Sequence, residues 1–372
     1  MDFEPYLEDT LRAGHYENNE AAVATMFNQS QEIIDDLIDL GVAFDKKGAG
    51  FSYTKEGAHS RARILHCKDM TGKEINSKLI ARVKELKNVS ILENSTLVDL
   101  LVAGDRCHGA VLRDQAGKLS NVYAQSTLLA TGGIGGLFSK TTNFAHLTGD
   151  AIAIALKHGI RVKDLDYVQI HPTSLYTGRS GRAFLMSESL RGEGAILVGK
   201  DGQRFADELL PRDLLTKAIY TQMEKDRLPY VRMLLKGHVE ESIAGRFPGI
   251  HAHCLQEGYD LVEDYIPIVP AQHYFMGGIA VDLNSKTSLA NLYAAGETSC
   301  NGVHGKNRLA SNSLLESLVF SKRAAQAIDE SFQCALPYPF PEPDARSIEA
   351  GLKEANRKLL EEIGIEEEAH AK

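Results

Sequence analysis

Between Leu292 and Glu316 the sequence LYAAGETSCNGVHGKNRLASNSLLE turns from strand-like to glycine-punctuated to helical. No other stretch limits the fold as much. Tyr293, Ala294 and Ala295 suit a short buried strand, Gly296 permits a tight turn, and Glu297 follows at the strand end. Gly302 and Gly305 can both take φ > 0 in the loop. Ser311 or Asn312 can cap a helix that begins SLLESLVFSKRAAQAI. A helix N-terminus carries unpaired N–H groups and partial positive charge, so it suits an electron-rich ligand. By itself the pattern also fits a surface loop between a strand and a helix. His304, Lys306 and Arg308, which add cations aimed at the same place, weigh toward a ligand.

Composition removes several alternatives. At 372 residues the chain can hold one large or two medium domains, and a formal charge of −9 without a basic block argues against nucleic acid. No run of about 18 apolar residues occurs, so no membrane span is expected. The start, MDFEPYLEDT, is acidic and lacks the apolar core of a secretory signal. Cys67, Cys107, Cys254, Cys300 and Cys334 are scattered without C-x-x-C, which fits reduced thiols in a cytoplasmic protein. His251 and His253 form an H-x-H, but no further ligand follows at metal-site spacing, so no metal is expected.

Residues 1–45 carry a long helical pattern through Met26, Ile33, Leu37 and Leu40, with Gly41 at its C-terminal end. From 74 to 130 the pattern becomes α/β. A helix over INSKLIARVKEL leads to a strand over VSILEN, residues 89–94, then a strand pair around VDLLVAGDRCHGAVLRD. The strand STLLATGG ends at Gly132 and Gly133, and LTGDAIAIALKHGI predicts a helix capped by Thr148 or Asp150 and ended by Gly159. PYPFPEPD, residues 337–344, breaks the chain before a polar amphipathic tail helix.

Chemistry-bearing residues recur between these elements. DYVQIHPTSLY sets His171 in extended backbone before a proline, and FLMSESLRGEGAIL gathers Ser187, Glu188, Arg191 and Glu193. Arg212 opens a helix, where a free arginine gains nothing from the macrodipole; it serves a ligand or pairs with Asp207 or Glu208. His273 precedes the Gly277-Gly278 turn. YTKEGAHSRARILH combines Glu56, His59, Ser60, Arg61 and Arg63, which alone fit a solvated charged loop.

AAGE followed by GVHGKNRLASNSLLE resembles the flavin-binding signature of the L-aspartate oxidases, within the succinate dehydrogenase and fumarate reductase flavoprotein family. EDTLRAGHYENNEAAV, EGAHSRARI, HPTSLY and PRD extend the resemblance through most of the chain. It implies an α/β, FAD-binding two-dinucleotide-binding-domain (Rossmann-like) fold with an inserted α+β capping domain. On that basis 1–164 is the first part of the FAD-binding domain and 165–274 the capping domain. Residues 275–343 return to the FAD-binding domain, and 344–372 begin a C-terminal helical domain. The first βαβ unit is lacking. No G-x-G-x-x-G occurs, and Gly132, Gly133, Gly135 and Gly136 have different spacing. A chain truncated at both termini is therefore expected, in preference to a reading frame begun at an internal methionine.

The resemblance further implies oxidation of L-aspartate to iminoaspartate by non-covalent FAD, the first step of quinolinate and NAD synthesis, with oxygen or fumarate as electron acceptor. A cytoplasmic location and a functional link to quinolinate synthase go with it. Arg212 would transfer a proton, His171 and His273 would bind carboxylate, and Glu56 would face the substrate ammonium. Arg308, Ser187, Glu188 and Ser311 would complete the substrate site. Glu297, Asn312, Ser313, Leu314, Leu315, Thr131, Gly132, Gly133 and Asp150 would hold FAD. Two alternatives remain open: a fumarate reductase or succinate dehydrogenase flavoprotein, and an inactive fragment without bound cofactor.

Overall fold

The computed structural model describes residues 3–238, 243–333 and 338–365; Cys334, Pro337 and the end of the acidic tail lie outside the described residues. The helical pattern of the first 45 residues folds as three helices rather than one long one: α1 (Phe3–Ala13), α2 (Glu20–Asn28) and α3 (Ser30–Asp39). The first break has a tertiary cause, because the glycine loop docks into it. The Asn19 backbone N–H donates to the Gly302 carbonyl at 2.8 Å, and the Asn19 side chain caps α2 by accepting from the Ala22 N–H. Asn18 Nδ2 donates to the Val303 carbonyl at 2.7 Å, and Asn307 Nδ2 donates to the Ala13 carbonyl at 3.0 Å. Gly302 and Gly305 take the expected left-handed conformation, with φ of 82° and 55°. A Cβ on Gly305 would lie 2.5 Å from the Gly14 carbonyl oxygen, so the close approach itself requires glycine.

α4 (Thr71–Glu85) is followed by no strand. Residues 89–94 run irregularly, with Val89, Ile91 and Leu92 exposed. Their β-forming side chains cannot make a strand where no neighbour takes up the backbone hydrogen bonds. The expected strand pair is a three-stranded antiparallel meander of Thr96–Ala103, Arg106–Arg113 and Leu119–Tyr123. Thr127–Leu129 pairs in parallel with Leu292–Ala294, which carries the Gly132-Gly133 turn to Glu297. α5 (Asp150–Lys157) starts from Gly149, at φ 76°, and has no side-chain cap; Thr148 Oγ1 donates instead to Asp150 Oδ1 at 2.8 Å.

The largest sheet is built on Ile266–Phe275. This strand pairs antiparallel with Val168–Leu175, placing His171 opposite Ala271, and with Val231–Leu234, and parallel with Lys140–Thr141. Ile196–Val198 and Gly181–Arg182 complete the sheet. Around it lie α6 (Glu188–Gly192), α7 (Arg212–Asp226), α8 (Ile243–Arg246) and α9 (Pro248–Gln256). The buried apolar cluster under these elements, including Leu190, Leu215 and Phe247, is drawn wholly from between Leu175 and Ile268. A separate cluster packs α1–α4 against α10 (Asn312–Glu330) through Val23, Met26, Val319 and Phe320. A third surrounds α5 and includes Ala355 and Leu359 of α11 (Ala345–Ile363). Among the described residues no helix is long and apolar enough to cross a membrane.

Two glycines separate conformational strain from collision. Gly41, at φ 85°, has open space where a Cβ would go, whereas the Gly305 Cβ would strike backbone. Gly41→Ala is expected to cost about 1–2 kcal/mol, the ordinary left-handed penalty. Gly305→Ala adds displacement of the loop and should exceed about 3 kcal/mol. Urea unfolding of the two variants measures the difference; equal losses would mean that the loop does not sit tightly on the turn.

Candidate active site

Adjacent strands and a helix start bring the polar residues of the largest sheet together. His171 and His273 sit on paired strands, with ring centroids 4.9 Å apart. Arg212, at the first position of α7, donates from Nε to Glu188 Oε2 at 2.7 Å and from Nη1 to Gln169 Oε1 at 2.7 Å. Its ion pair is therefore with Glu188, not with Asp207 or Glu208; Glu208 is taken by Arg204 Nη2 at 2.6 Å. Gln169 Nε2 donates in turn to Asn307 Oδ1 at 2.9 Å and to the Arg308 carbonyl at 2.8 Å. One amide thus joins α7 to the glycine loop.

Arg308 is 4% exposed. Its Nη1 donates to Ser313 Oγ at 2.9 Å, its guanidinium lies 4.5 Å from the centre of the Tyr274 ring, and its Nε has no partner among the described residues. Arg191 is buried too, 3.5 Å from Glu188, with Nε and Nη2 lacking hydrogen bonds among the described residues. Burial followed by the nearby Arg212 lowers the Arg308 pKa to about 10, which leaves it protonated at neutral pH. Burial, then Arg212, pushes His171 and His273 well below the ordinary imidazole value, so both are neutral. Burial alone would raise Glu188, but Arg212 and Arg191 hold its carboxyl below the usual range. His304 is not the cation expected in the loop. Burial and Arg308 push its pKa down to about 3, and neither ring nitrogen has a hydrogen-bond partner among the described residues. Lys306 is exposed, its Nζ 5.4 Å from the Tyr167 ring centre, which leaves Arg308 as the buried cation of the loop.

Glu56 stands at the edge of this positive group. Its Oε1 accepts from Ser189 Oγ at 3.1 Å and its Oε2 from Ser311 Oγ at 2.6 Å, and it forms no ion pair among the described residues. Gly57 carries the loop against Glu188, where a Cβ would lie 2.2 Å from Oε1. Ser187 caps α6, accepting at Oγ from the Ser189 N–H at 3.3 Å. Neither residue expected to cap α10 does so. Ser311 occupies the cap position at φ 63° but gives its hydroxyl to Glu56. Asn312 Oδ1 accepts from the Tyr6 hydroxyl at 2.6 Å, and Nδ2 donates to Thr10 Oγ1 at 3.1 Å.

With no side-chain cap, the first turn of α10 at Asn312, Ser313, Leu314 and Leu315 presents N–H groups to whatever lies before it. Leu314 is 43% exposed. Glu297, half-buried, accepts from the Phe275 N–H at 3.0 Å, and burial raises its pKa to about 7. A Cβ on Gly133 would lie 2.5 Å from Glu297 Oε1, so the Gly132-Gly133 turn must be bare for the carboxyl to reach this place. Thr131 Oγ1 lies 2.9 Å from Thr298 Oγ1, and the Gly149 N–H donates to the Gly133 carbonyl at 3.2 Å, which seats Asp150 beside the same turn. A carboxyl for hydroxyl groups, bare glycines and an uncapped helix start form a donor and acceptor set that fits a flavin dinucleotide.

Gln169 escaped the sequence reading, although its signal was present. It lies two residues before His171 on one strand, and alternate residues share a face. His59 was noticed only as part of a charged loop; its Nε2 lies 3.0 Å from the Ala310 carbonyl.

Residues 2–314 match the family model for the FAD binding domain. The chain is 51% identical over 329 residues to an L-aspartate oxidase of Clostridium perfringens, covering 88% of this chain and 75% of that protein. An L-aspartate oxidase of Clostridium acetobutylicum is 50% identical over 331 residues, with the same two coverages of 88% and 75%. Among solved structures, an E. coli quinol fumarate reductase matches with a TM-score of 0.80 at 28% identity, over 96% of this chain and 64% of that one. A quinol-fumarate reductase with menaquinol molecules matches with a TM-score of 0.83 at 29% identity, over 96% and 65%. The chain thus spans three quarters of the clostridial relatives and just under two thirds of these two solved chains.

Glu316, on α10 close to Glu297, gives the site a measurable signature. It is 2% exposed, accepts from Asn301 Nδ2, and burial raises its pKa to about 7. The folded state therefore holds a proton that the unfolded state, with an ordinary carboxyl, releases from about pH 4.5. Stability from this group falls as pH rises from about 4.5 to 7 and is level above, by on the order of 3 kcal/mol. Glu316→Gln removes this dependence, so its gain in Tm over the parent should be several degrees larger at pH 8 than at pH 5. A pH-independent Tm difference would show that Glu316 does not carry the proton.

Proposed function

The chain belongs to the L-aspartate oxidase family of FAD-binding flavoproteins, and from that premise we propose that it oxidises L-aspartate to iminoaspartate with non-covalently bound FAD. The observation that carries the reading is Glu56, a buried carboxylate held, among the described residues, by two hydroxyls beside a site rich in arginine. L-Aspartate has two carboxylates and one ammonium, so it calls for separate cationic anchors and one anionic one. Arg308 would clamp one carboxylate in bidentate fashion, as its fork geometry allows. His171, His273 and Ser187 would donate to the other, with Glu188 holding Arg212 in place. Glu56, with Ser311 bound to it, would meet the ammonium. FAD, when bound, supplies the hydride acceptor. Glu297, Thr131, Gly132, Gly133, Asp150 and the Asn312–Leu315 turn would hold it. Arg212 has Nε and Nη1 engaged by Glu188 and Gln169, so Nη2 is the nitrogen available to hold or move a proton.

The same reading assigns the apolar cluster between Leu175 and Ile268 to a capping domain over residues 165–274, inserted between the two FAD-binding parts, 1–164 and 275–343, with 344–372 opening a helical domain. A nucleotide-binding βαβ unit absent from the 372 residues would complete the cradle. The exposed Val89, Ile91 and Leu92, and the two-stranded parallel sheet of Thr127–Leu129 and Leu292–Ala294 among the described residues, support this. Electrons would pass to oxygen or fumarate. The imine product fits a cytoplasmic partnership with quinolinate synthase. Fumarate reduction remains the second reading, favoured by the likeness to solved fumarate reductases and by the buried Arg212–Glu188 pair.

Three outcomes test this reading. The missing G-x-G-x-x-G removes the usual pyrophosphate seat, so FAD should leave this chain on dialysis; retention of one FAD per chain overturns that expectation. In FAD-saturated protein, Arg308→Leu should lower kcat/KM for aspartate at least about 30-fold, from a loss of about 2–5 kcal/mol, with flavin content unchanged. Unaltered kinetics remove Arg308 from the substrate site. Glu56→Gln keeps shape but not charge, so aspartate oxidation should fall at least about tenfold while fumarate reduction is largely kept. Equal losses in both reactions would favour the fumarate reductase reading.

A further inference from the structure

Glu56 comes from the segment EGAHSRARI, but His59 of that segment has no part in the site as described so far. Its ring is 3% exposed and is held at both nitrogens. Arg63 Nη1 lies 2.8 Å from Nδ1, and a guanidinium can only donate, so Nδ1 accepts and the ring proton sits on Nε2. Nε2–H then donates to the Ala310 carbonyl at 3.0 Å. The next residue, Ser311, donates its hydroxyl to Glu56 Oε2 at 2.6 Å.

The anchor behind His59 is rigid. Arg63 Nη1 also donates to Asp9 Oδ2 at 2.6 Å, and its guanidinium lies over the Tyr6 ring at 5.0 Å. Asp9 Oδ2 accepts further from the Ser60 N–H and the Ser60 hydroxyl, each at 2.7 Å. Ala58 and Ser311, on the two segments being joined, are both left-handed at φ 63°. Non-glycine residues keep that conformation only where their surroundings impose it. Two hydrogen bonds therefore link the Glu56 segment to the turn before α10, one through Ser311 and one through His59.

We propose that His59 is a positioning residue for the substrate ammonium: its Nε2–H bond to Ala310 clamps the Glu56 segment onto the Ala310–Ser311 turn and so fixes where the Glu56 carboxylate stands. The proposal rests on the reading of Glu56 given under Proposed function. It assigns to His59 no contact with substrate and no proton transfer. Burial, the main cause, holds the ring pKa below its ordinary value. Glu56 and Glu188 favour a second ring proton, and Arg63 opposes it. A charged ring would turn an N–H toward the Arg63 guanidinium and break the anchor.

The first measurement needs no substitution. In chain labelled with ¹⁵N-histidine, nitrogen shifts should report His59 as neutral with the proton on Nε2 between pH 6 and 8; an Nδ1–H or charged ring overturns the proposal. The second compares the affinities of FAD-saturated chain for L-aspartate and succinate by calorimetry. His59→Phe should lower the aspartate-to-succinate affinity ratio about 10-fold, with succinate binding unchanged. His59→Gln, whose amide can donate to Ala310, should restore most of the ratio. An unchanged ratio in His59→Phe, or equal losses in the two variants, overturns the proposal. Glu56→Gln is the separate control. If it leaves the ratio unaltered, the reading of Glu56 itself falls and takes this one with it; if it lowers the ratio while His59→Phe does not, only the role of His59 is lost.

Discussion

The docking of the glycine loop into the turn between α1 and α2 is the contact on which the site depends. Backbone and side-chain amides of Asn18, Asn19 and Asn307 stitch the two segments together, and the approach is so close that Gly305 cannot bear a side chain. The loop so placed sets Arg308 beside Tyr274 and fixes the start of α10. That in turn allows α1 to reach Asn312 through Tyr6 and Thr10, residues some three hundred positions apart in the chain. Removing the loop from its seat would disturb Arg308 and the start of α10 together.

The second organising fact is an excess of buried positive charge. Arg191, Arg212 and Arg308 are all nearly inaccessible, and Glu188 is the carboxylate that pairs with the first two. Burying a charge without a partner is costly, and nitrogens on Arg191 and Arg308 that lack hydrogen bonds among the described residues add to the cost. An enclosed site of one dominant sign raises the local concentration of the opposite charge, which here means an anion. Neutral His171 and His273 do not add to the repulsion; they retain a donor each without a charge. The buried pair and the anion-seeking arginines are thus two parts of one electrostatic arrangement.

Gln169 and His59 extend that arrangement outward. Gln169 connects the Arg212 guanidinium to the backbone of Arg308. His59 connects the Glu56 segment to the turn that begins α10. Both act by hydrogen bonds that hold another residue, and both are fully enclosed. Gln169 carries no charge of its own, which is why a search for charged motifs passes over it, and His59 stands out in sequence only as one member of a charged loop.

The sequence alone determined the strand, glycine loop and helix around Gly302–Asn312, the left-handed glycines, and the family, because these follow from short-range stereochemistry and from motifs contiguous in the chain. It also brought forward His171, Arg212, His273, Arg308 and Glu56 as chemistry-bearing residues. Only the tertiary structure decided what each one touches. It broke the first helix at the loop contact, left residues 89–94 without a strand partner, and diverted Ser311 and Asn312 from capping to Glu56, Tyr6 and Thr10. It also chose Glu188 over Asp207 and Glu208 for Arg212, and removed the charge from His304. Each of these outcomes turns on a partner distant in sequence or on burial, and a linear pattern of residue types encodes neither.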